Sequence, residues 1–298
     1  MMSSIETSVQ NLSRDYPEWK PWLTVVEAVL KEATDPEWER FVPEPAREQE
    51  KSPLLARAEI SIEVDWGRGW VKRLMRSAYK CGTSKMATLK PVVSSSLDIP
   101  VLFQASLCLH GDRLQTIAID LGVDPYAFRA VAELIAVPFL QACDRRWTST
   151  ASERWAEGYC PVCGAWPAFA ELRGIERSRY LRCARCGGEW RSHVLHCPYC
   201  GMNDHSQLVS LVPEEGSRTR AIEACRRCLG YVKSLTTLQA TPPALIMVED
   251  LASVDLDVAA ADGGYRRLEG SGYSLDVNVS DRKGPRQRFF PWRNGSVP

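Results

Sequence analysis

The 298-residue sequence predicts an α+β protein: an α-helical N-terminal domain, two tandem rubredoxin-like (zinc-ribbon) metal-binding modules, and a C-terminal helix. Three observations carry this prediction. Apolar residues recur with a helical period as far as about Trp147. Of eleven cysteines, all but Cys81, Cys108 and Cys143 lie between Cys160 and Cys228, in CxxC pairs. The runs between successive pairs read as hairpins. The expected division is 1–157 for the helical domain, 158–196 and 197–240 for the ribbons, 241–270 for the C-terminal helix packing on the core, and 271–298 for a flexible tail.

In the first half, Trp19, Trp22, Leu23, Val26, Val29 and Leu30 form one stripe after the helix-starting Pro17. Pro43 to Lys51, rich in proline and mixed charge, reads as an exposed connection. Trp70, Val71, Leu74 and Met75 form a second stripe. Leu114, Ile117, Ala118 and Leu121 predict a short helix closed by Gly122. Tyr126 to Arg146 predicts a longer one, kinked by Pro138, which lacks an amide donor and crowds the preceding turn. Cys81, Cys108 and Cys143 read as packing residues or ordinary thiols, dispensable for metal binding.

Lys plus Arg equals Asp plus Glu at 37 each, so no bulk positive charge draws the chain to nucleic acid or to an anionic membrane. The N-terminal stretch has no signal-peptide pattern and no window has eighteen uninterrupted apolar residues, so a cytoplasmic protein without a membrane span is expected. Disulfides do not persist in that compartment, and paired cysteines there read as thiolate ligands.

"CPVCG" at Cys160 returns as "CPYCG" at Cys197, and each is followed by a further CxxC, at Cys183/Cys186 and Cys225/Cys228. Ala168 to Leu172 runs out, Arg173 and Gly174 turn, and Arg179 to Arg182 returns; Glu189, Trp190, Arg191 and Val194 add a third strand. The plan repeats with Leu208 to Val212 out, a turn at Pro213 to Gly216, Arg220 to Glu223 back and Gly230 to Leu235 third. Because a hairpin's ends meet, Cys160, Cys163, Cys183 and Cys186 are expected on one ion, and Cys197, Cys200, Cys225 and Cys228 on another. The alternative joins the inner pairs, whose spacer of ten residues could also close a site.

A tetrahedral all-sulfur site means zinc or a single iron. Two residues between cysteines let both sulfurs reach one ion, and Gly164, Gly187 and Gly201 permit the chain to fold back, whereas "CRRCLG" delays its glycine by one place. Four thiolates on a divalent ion leave a charge of about minus two. Arg182, Arg185, Arg226 and Arg227 are placed to offset it, and His193, His196 and His205 are not needed as ligands. Ribbons this small have little core, so metal is expected to supply on the order of 10 kcal/mol per site.

After the helical domain come "YCPVCGAWPAFAEL", "RYLRCARCGGEWRSHVLHCPYCG", "EACRRCLGYVKSL" and "VEDLASVDLDVAAADGGYRR". In that order they resemble the FdhE family of formate dehydrogenase accessory proteins, from Gly158 to Arg267. The resemblance implies a cytoplasmic assembly factor that binds the catalytic subunit of a respiratory formate dehydrogenase before export. It also implies iron as a candidate ion and a redox or sulfur-related step on the client. The end of the chain, "DRKGPRQRFFPWRNG", lies outside the family pattern and reads as a disordered basic tail, or as a docking arm using Phe289, Phe290 and Trp292.

Two other classes compete. A zinc-ribbon nucleic-acid binder would use the arginines between Glu171 and Arg191, but the neutral total weakens it. A thiol oxidoreductase would use a CxxC pair, but metal at every pair removes the free nucleophile. No glycine-rich phosphate loop, HExxH or convincing catalytic constellation is present, so no catalytic residue is named and no enzyme is expected. The sequence leaves a homodimer open.

Overall fold

The computed structural model describes residues 2–45, 51–147, 155–213 and 219–282. Part of the Pro43–Lys51 connection, most of the Pro213–Gly216 turn, and Phe289, Phe290 and Trp292 lie outside the described residues.

The N-terminal half is helical: α1 (Met2–Asp15), α2 (Lys20–Ala33), α3 (Val64–Lys80), α4 (Ser84–Ala87), α5 (Lys90–Ser94), α6 (Ile99–Leu107), α7 (Gly111–Asp120), α8 (Pro125–Ala132) and α9 (Val137–Trp147), with strand β1 (Glu59–Ile62) between α2 and α3. The stripes read from the sequence form the core, with Val29, Trp70, Val71, Leu74 and Met75 in its main cluster. Gly122 takes φ +65 and closes α7, while Val123 N donates to Ala118 O at 3.1 Å.

The long helix expected over Tyr126–Arg146 is two helices. Pro138 lies in the first turn of α9, and the carbonyl and amide freed at the break find other partners: Trp70 Nε1 donates to Ile135 O at 2.9 Å and Ala136 N to Ser106 Oγ at 3.1 Å. The run Pro125–Trp147 has the length and composition to cross a membrane, with 72% of its apolar window buried inside the protein.

The C-terminal half builds one sheet from β2 (Phe169–Arg173), β3 (Ser178–Arg182), β4 (Glu189–Arg191), β5 (Leu208–Leu211), β6 (Arg220–Cys225) and β7 (Tyr231–Thr237). Their order is β4-β3-β2-β7-β6-β5. Each ribbon is an antiparallel three-strand meander, and the outgoing strand of the first lies parallel to the last strand of the second, with Phe169 opposite Lys233 and Arg173 opposite Thr237. The two ribbons therefore stand head to tail in a continuous sheet.

The C-terminal helix expected over Val248–Ala261 is interrupted, as α10 (Ile246–Leu251) and α11 (Val254–Asp262). At the break Ser253 is fully buried and its hydroxyl donates to Glu249 O at 2.8 Å. Lys233 Nζ donates to the carbonyls of Asp250, at 2.7 Å, and Ser253. Helix α11 covers Ile222, Ala224 and Tyr231 of the second ribbon, and Val248 of α10 packs on Ile5, Val26 and Leu30 of α1 and α2.

The stretch expected to begin a flexible tail is partly ordered: β8 (Asn278–Asp281) pairs parallel with β1. Leu275, Val277 and Val279 alternate into the main core, which supplies the apolar burial that the tail composition did not advertise.

Candidate metal centres

Each CxxC knuckle folds back through the same two backbone bonds. Gly164 N donates to Cys160 O at 2.9 Å and Cys160 N to Ala165 O at 2.9 Å. The same pairs are Gly187–Cys183 and Cys183–Gly188, Gly201–Cys197 and Cys197–Met202, and Leu229–Cys225 and Cys225–Gly230. The residue that closes the turn takes positive φ in every case: Gly164 at +70, Gly187 at +82, Gly201 at +71 and Leu229 at +57.

A leucine in the left-handed region costs on the order of 1 kcal/mol, so the delayed glycine of the fourth knuckle needs a reason. It lies one residue on, where a Cβ on Gly230 would come within 2.7 Å of the Tyr199 ring. Tyr199 belongs to the third knuckle, and its hydroxyl donates to Tyr231 O at 2.8 Å, so close contact between knuckles fixes the glycine at 230.

The knuckles bring their sulfurs into two groups, Cys160, Cys163, Cys183 and Cys186, and Cys197, Cys200, Cys225 and Cys228, with all sulfurs in a group within 4.8 Å of one another. Cys160 and Cys186 Sγ are 3.4 Å apart, Cys163 and Cys183 3.6 Å, and the pairs Cys197–Cys228 and Cys200–Cys225 each 3.7 Å. None of the eight is in a disulfide. A tetrahedron with metal–sulfur bonds of about 2.3 Å has edges of about 3.8 Å, so both groups fit one ion each. The alternative grouping of the inner knuckles is not the one formed.

Charge gives a second argument. Hydrogen bonds from Cys160, then Cys163 and Cys186, pull the Cys183 thiol well below its ordinary value, while burial pushes Cys160 up and hydrogen bonding to Cys160 pushes Cys186 up. Four thiols this close and this buried cannot all ionise without a cation, and a bound metal removes the conflict.

The groups differ in access. Cys160, Cys163, Cys183 and Cys186 are at most 1% exposed and belong to the main core with Leu140, Leu181 and Trp190. In the second group Cys200 and Cys228 are part-exposed. Cys197 and Cys225 also line a cleft of about 530 Å³. With a chelator such as a terpyridine present, the second centre is expected to release its metal first, and iodoacetamide to label Cys200 and Cys228 at least about tenfold faster than Cys160 or Cys186. Peptide mass spectrometry over time checks this; equal labelling of both groups would contradict the burial argument.

Two of the four arginines expected to offset the sulfur charge have other partners. Arg182 is buried and donates to Glu171 Oε2 at 2.9 Å, Thr241 O at 2.8 Å and Gly187 O at 3.3 Å. Arg185 reaches Ser106 O at 2.7 Å and Leu107 O at 3.0 Å at the end of α6, and Arg226 and Arg227 are exposed. Backbone amides meet sulfur instead: Gly188 N to Cys186 and Gly230 N to Cys228, each at 3.4 Å. His193, His196 and His205 belong to neither group, and Cys81, Cys108 and Cys143 lie outside both. Cys143 is wholly buried, and burial pushes its thiol up.

Sequence reasoning missed the buried ion network that holds the ribbons to the C-terminal helices. Lys233, 1% exposed, places Nζ 2.7 Å from Asp250 Oδ1 and 2.9 Å from Asp257 Oδ2. Arg267 meets Asp250 at 2.8 Å and Tyr231 Oη donates to Asp257 at 2.7 Å. Burial works to raise the fully buried Glu171, but the Thr241 amide, Arg182 and Arg173 hold it below the usual carboxylate value. The signal was present: Asp250 and Asp257 are seven apart, which in the continuous helix expected from the sequence puts them on one face, and Lys233 interrupts the apolar strand "YVKSL".

Residues 195–273 match the family model "FdhE, C-terminal domain". The chain is 32% identical over 120 residues to the "Protein FdhE homolog" of Aquifex aeolicus, covering 39% of this chain and 42% of that one. It is 36% identical over 143 residues to the "Protein FdhE homolog" of Stutzerimonas stutzeri, covering 44% of this chain and 46% of that one. These matched segments span under half the length of the relatives. The crystal structure of the FdhE protein from Pseudomonas aeruginosa superimposes with a TM-score of 0.55 over 92% of this chain and 95% of that one, at 19% identity, a likeness of fold. The resemblance to FdhE read from the knuckles and the "DLASVDLD" segment is shown by these matches.

Proposed function

We infer that this chain is a metal-bearing accessory protein for formate dehydrogenase, binding the catalytic subunit in the cytoplasm during maturation. The observation that carries this reading is the pair of four-sulfur groups on head-to-tail ribbons, the second of which lies in the residues, 195–273, that match the FdhE C-terminal domain. Cys160, Cys163, Cys183 and Cys186 would hold one ion, and Cys197, Cys200, Cys225 and Cys228 the other. All-thiolate donors select zinc or iron, and iron would add a one-electron couple that zinc lacks.

The chain's own residues supply the scaffold. The knuckle amides orient the sulfurs, the network around Lys233 fixes the ribbons to α10 and α11, and α10 joins them to the helical half. No residue is assigned a catalytic role; the protein acts by binding.

The test compares iron-loaded and zinc-loaded protein for capture of the catalytic subunit and for recovery of formate dehydrogenase activity in cells lacking the accessory protein. Capture by both forms with recovery by iron alone assigns a redox step to a centre. Capture and recovery by both assigns a scaffold. Absence of capture by either form removes the client-binding reading.

A further inference from the structure

We propose that the hollow between the first hairpin turn and the 191–196 segment is the part of this protein that receives its partner, and that it takes a segment carrying carboxylates next to apolar side chains. The proposal rests on the client-binding reading above and adds the place and the chemistry.

Charge placement leads to it. Six cations of the ribbons and their C-terminal cover are committed to carboxylates: Arg173 and Arg182 to Glu171 and Glu189, Arg179 to Glu223, Arg220 to Glu249, Lys233 and Arg267 to Asp250 and Asp257. Arg185 donates to backbone carbonyls, and Arg226 and Arg227 are exposed at the fourth knuckle. Arg177 and Arg191 are exposed and have no carboxylate partner among the described residues, yet both line one hollow of about 730 Å³ with His193 and His196. Glu176 is the one carboxylate on its wall. Positive charge is thus concentrated there in a chain whose Lys and Arg equal its Asp and Glu.

The hollow is built, not incidental. Arg179, 2% exposed, lies at its base and donates to Ser192 Oγ at 2.8 Å and His193 O at 3.1 Å, pinning the segment that forms the far wall. Its Nε is buried without a hydrogen-bond partner. Arg177 is held at φ +51 in the turn between β2 and β3, a strained conformation for arginine.

Apolar recognition adjoins it. Val194, His196 and Arg179 separate the hollow from the 530 Å³ cleft on the sheet face, floored by Leu172, Val232 and Ser234. Val194, Leu195 and Val212 on its rim are each more than half exposed. An extended segment lying across both would set carboxylates against Arg177 and Arg191 and apolar side chains into the cleft. Arginine forks suit carboxylates, and desolvated apolar anchors supply affinity.

The double variant Arg177→Glu/Arg191→Glu tests this in the full-length, metal-loaded protein, with unchanged metal content and circular dichroism as the folding control. Capture of the formate dehydrogenase catalytic subunit should weaken at least about tenfold, and the loss of wild-type capture between about 50 and 500 mM salt should flatten in the variant. Arg76→Glu/Arg113→Glu, a reversal on the helical half, should behave as wild type. Undiminished capture by the Arg177/Arg191 variant would overturn the proposal and leave the client reading standing. If wild type captures no catalytic subunit, the client reading fails separately, and a fluorescein-labelled peptide of alternating Glu and Leu decides the hollow. Binding to wild type and not to the variant supports the proposal; equal binding, no binding, or tighter binding of a single-stranded oligonucleotide overturns it.

Discussion

Cys186→Ser is expected to lose one equivalent of metal and to destabilise the helical half along with the first ribbon, whereas Cys228→Ser loses one equivalent and leaves the helical half folded. Both substitutions remove one thiolate, and structural zinc sites in small domains contribute on the order of 10 kcal/mol, comparable to the whole stability of a domain. The difference comes from what surrounds each centre. Cys186 and Cys183 share a core cluster with Phe139, Leu140, Trp70 and Leu74, so losing the ion there leaves buried thiols and loosens packing on α3 and α9. Cys228 is part-exposed, in the turn between β6 and β7 and outside that core cluster. A ribbon with its own small core would unfold alone when its metal is lost; the core shared with the helices carries the loss into them. Metal analysis with thermal melts at 222 nm checks this: Cys186→Ser should melt at least about 10 °C lower, by roughly 4 kcal/mol or more. Equal melting of the two variants would contradict it.

Lys233→Ala is expected to destabilise by about 3–5 kcal/mol, because it strands Asp250 and Asp257 against a buried site that Arg267 covers only in part. The substitution also frees the Asp250 carbonyl at the break between α10 and α11. A triple variant, Lys233→Met with Asp250→Asn and Asp257→Asn, removes the stranded charges and should recover part of the loss. Urea midpoints at fixed metal loading measure both. If Lys233→Ala unfolds at the wild-type midpoint, the ammonium does not hold the helices to the sheet.

The centres were legible because their determinants are local. Two residues between cysteines and a left-handed residue after them specify each knuckle, and hairpins carry the knuckles together. What was not legible depends on partners distant in sequence. Nothing near Phe169 announces that it will lie parallel to Lys233, and nothing near Val279 announces Ile60 as its neighbour. The arginines illustrate the same limit: Arg182 stands one residue from a ligand, but strand alternation turns it toward Glu171 on the opposite face from the sulfur-bearing end. Pro138 was read as a kink in one helix and the chain breaks just before it, while the Trp70 indole that satisfies the freed carbonyl came from another helix.

The head-to-tail joining of the ribbons bears on self-association. An outgoing strand, β2, meets a closing strand, β7, and the sheet's free edges are one of each kind, the closing strand β4 and the outgoing strand β5. Pairing β4 of one molecule with β5 of the next would repeat the internal junction, and because that contact is heterologous each addition exposes a new edge and never closes. Such a surface grows filaments, not dimers. The chain blunts it with a β4 of three residues that carries Glu189 and Arg191, and with a β5 of four residues. A closed two-fold dimer therefore cannot use the β4–β5 contact; it has to pair two like edges antiparallel or use another surface.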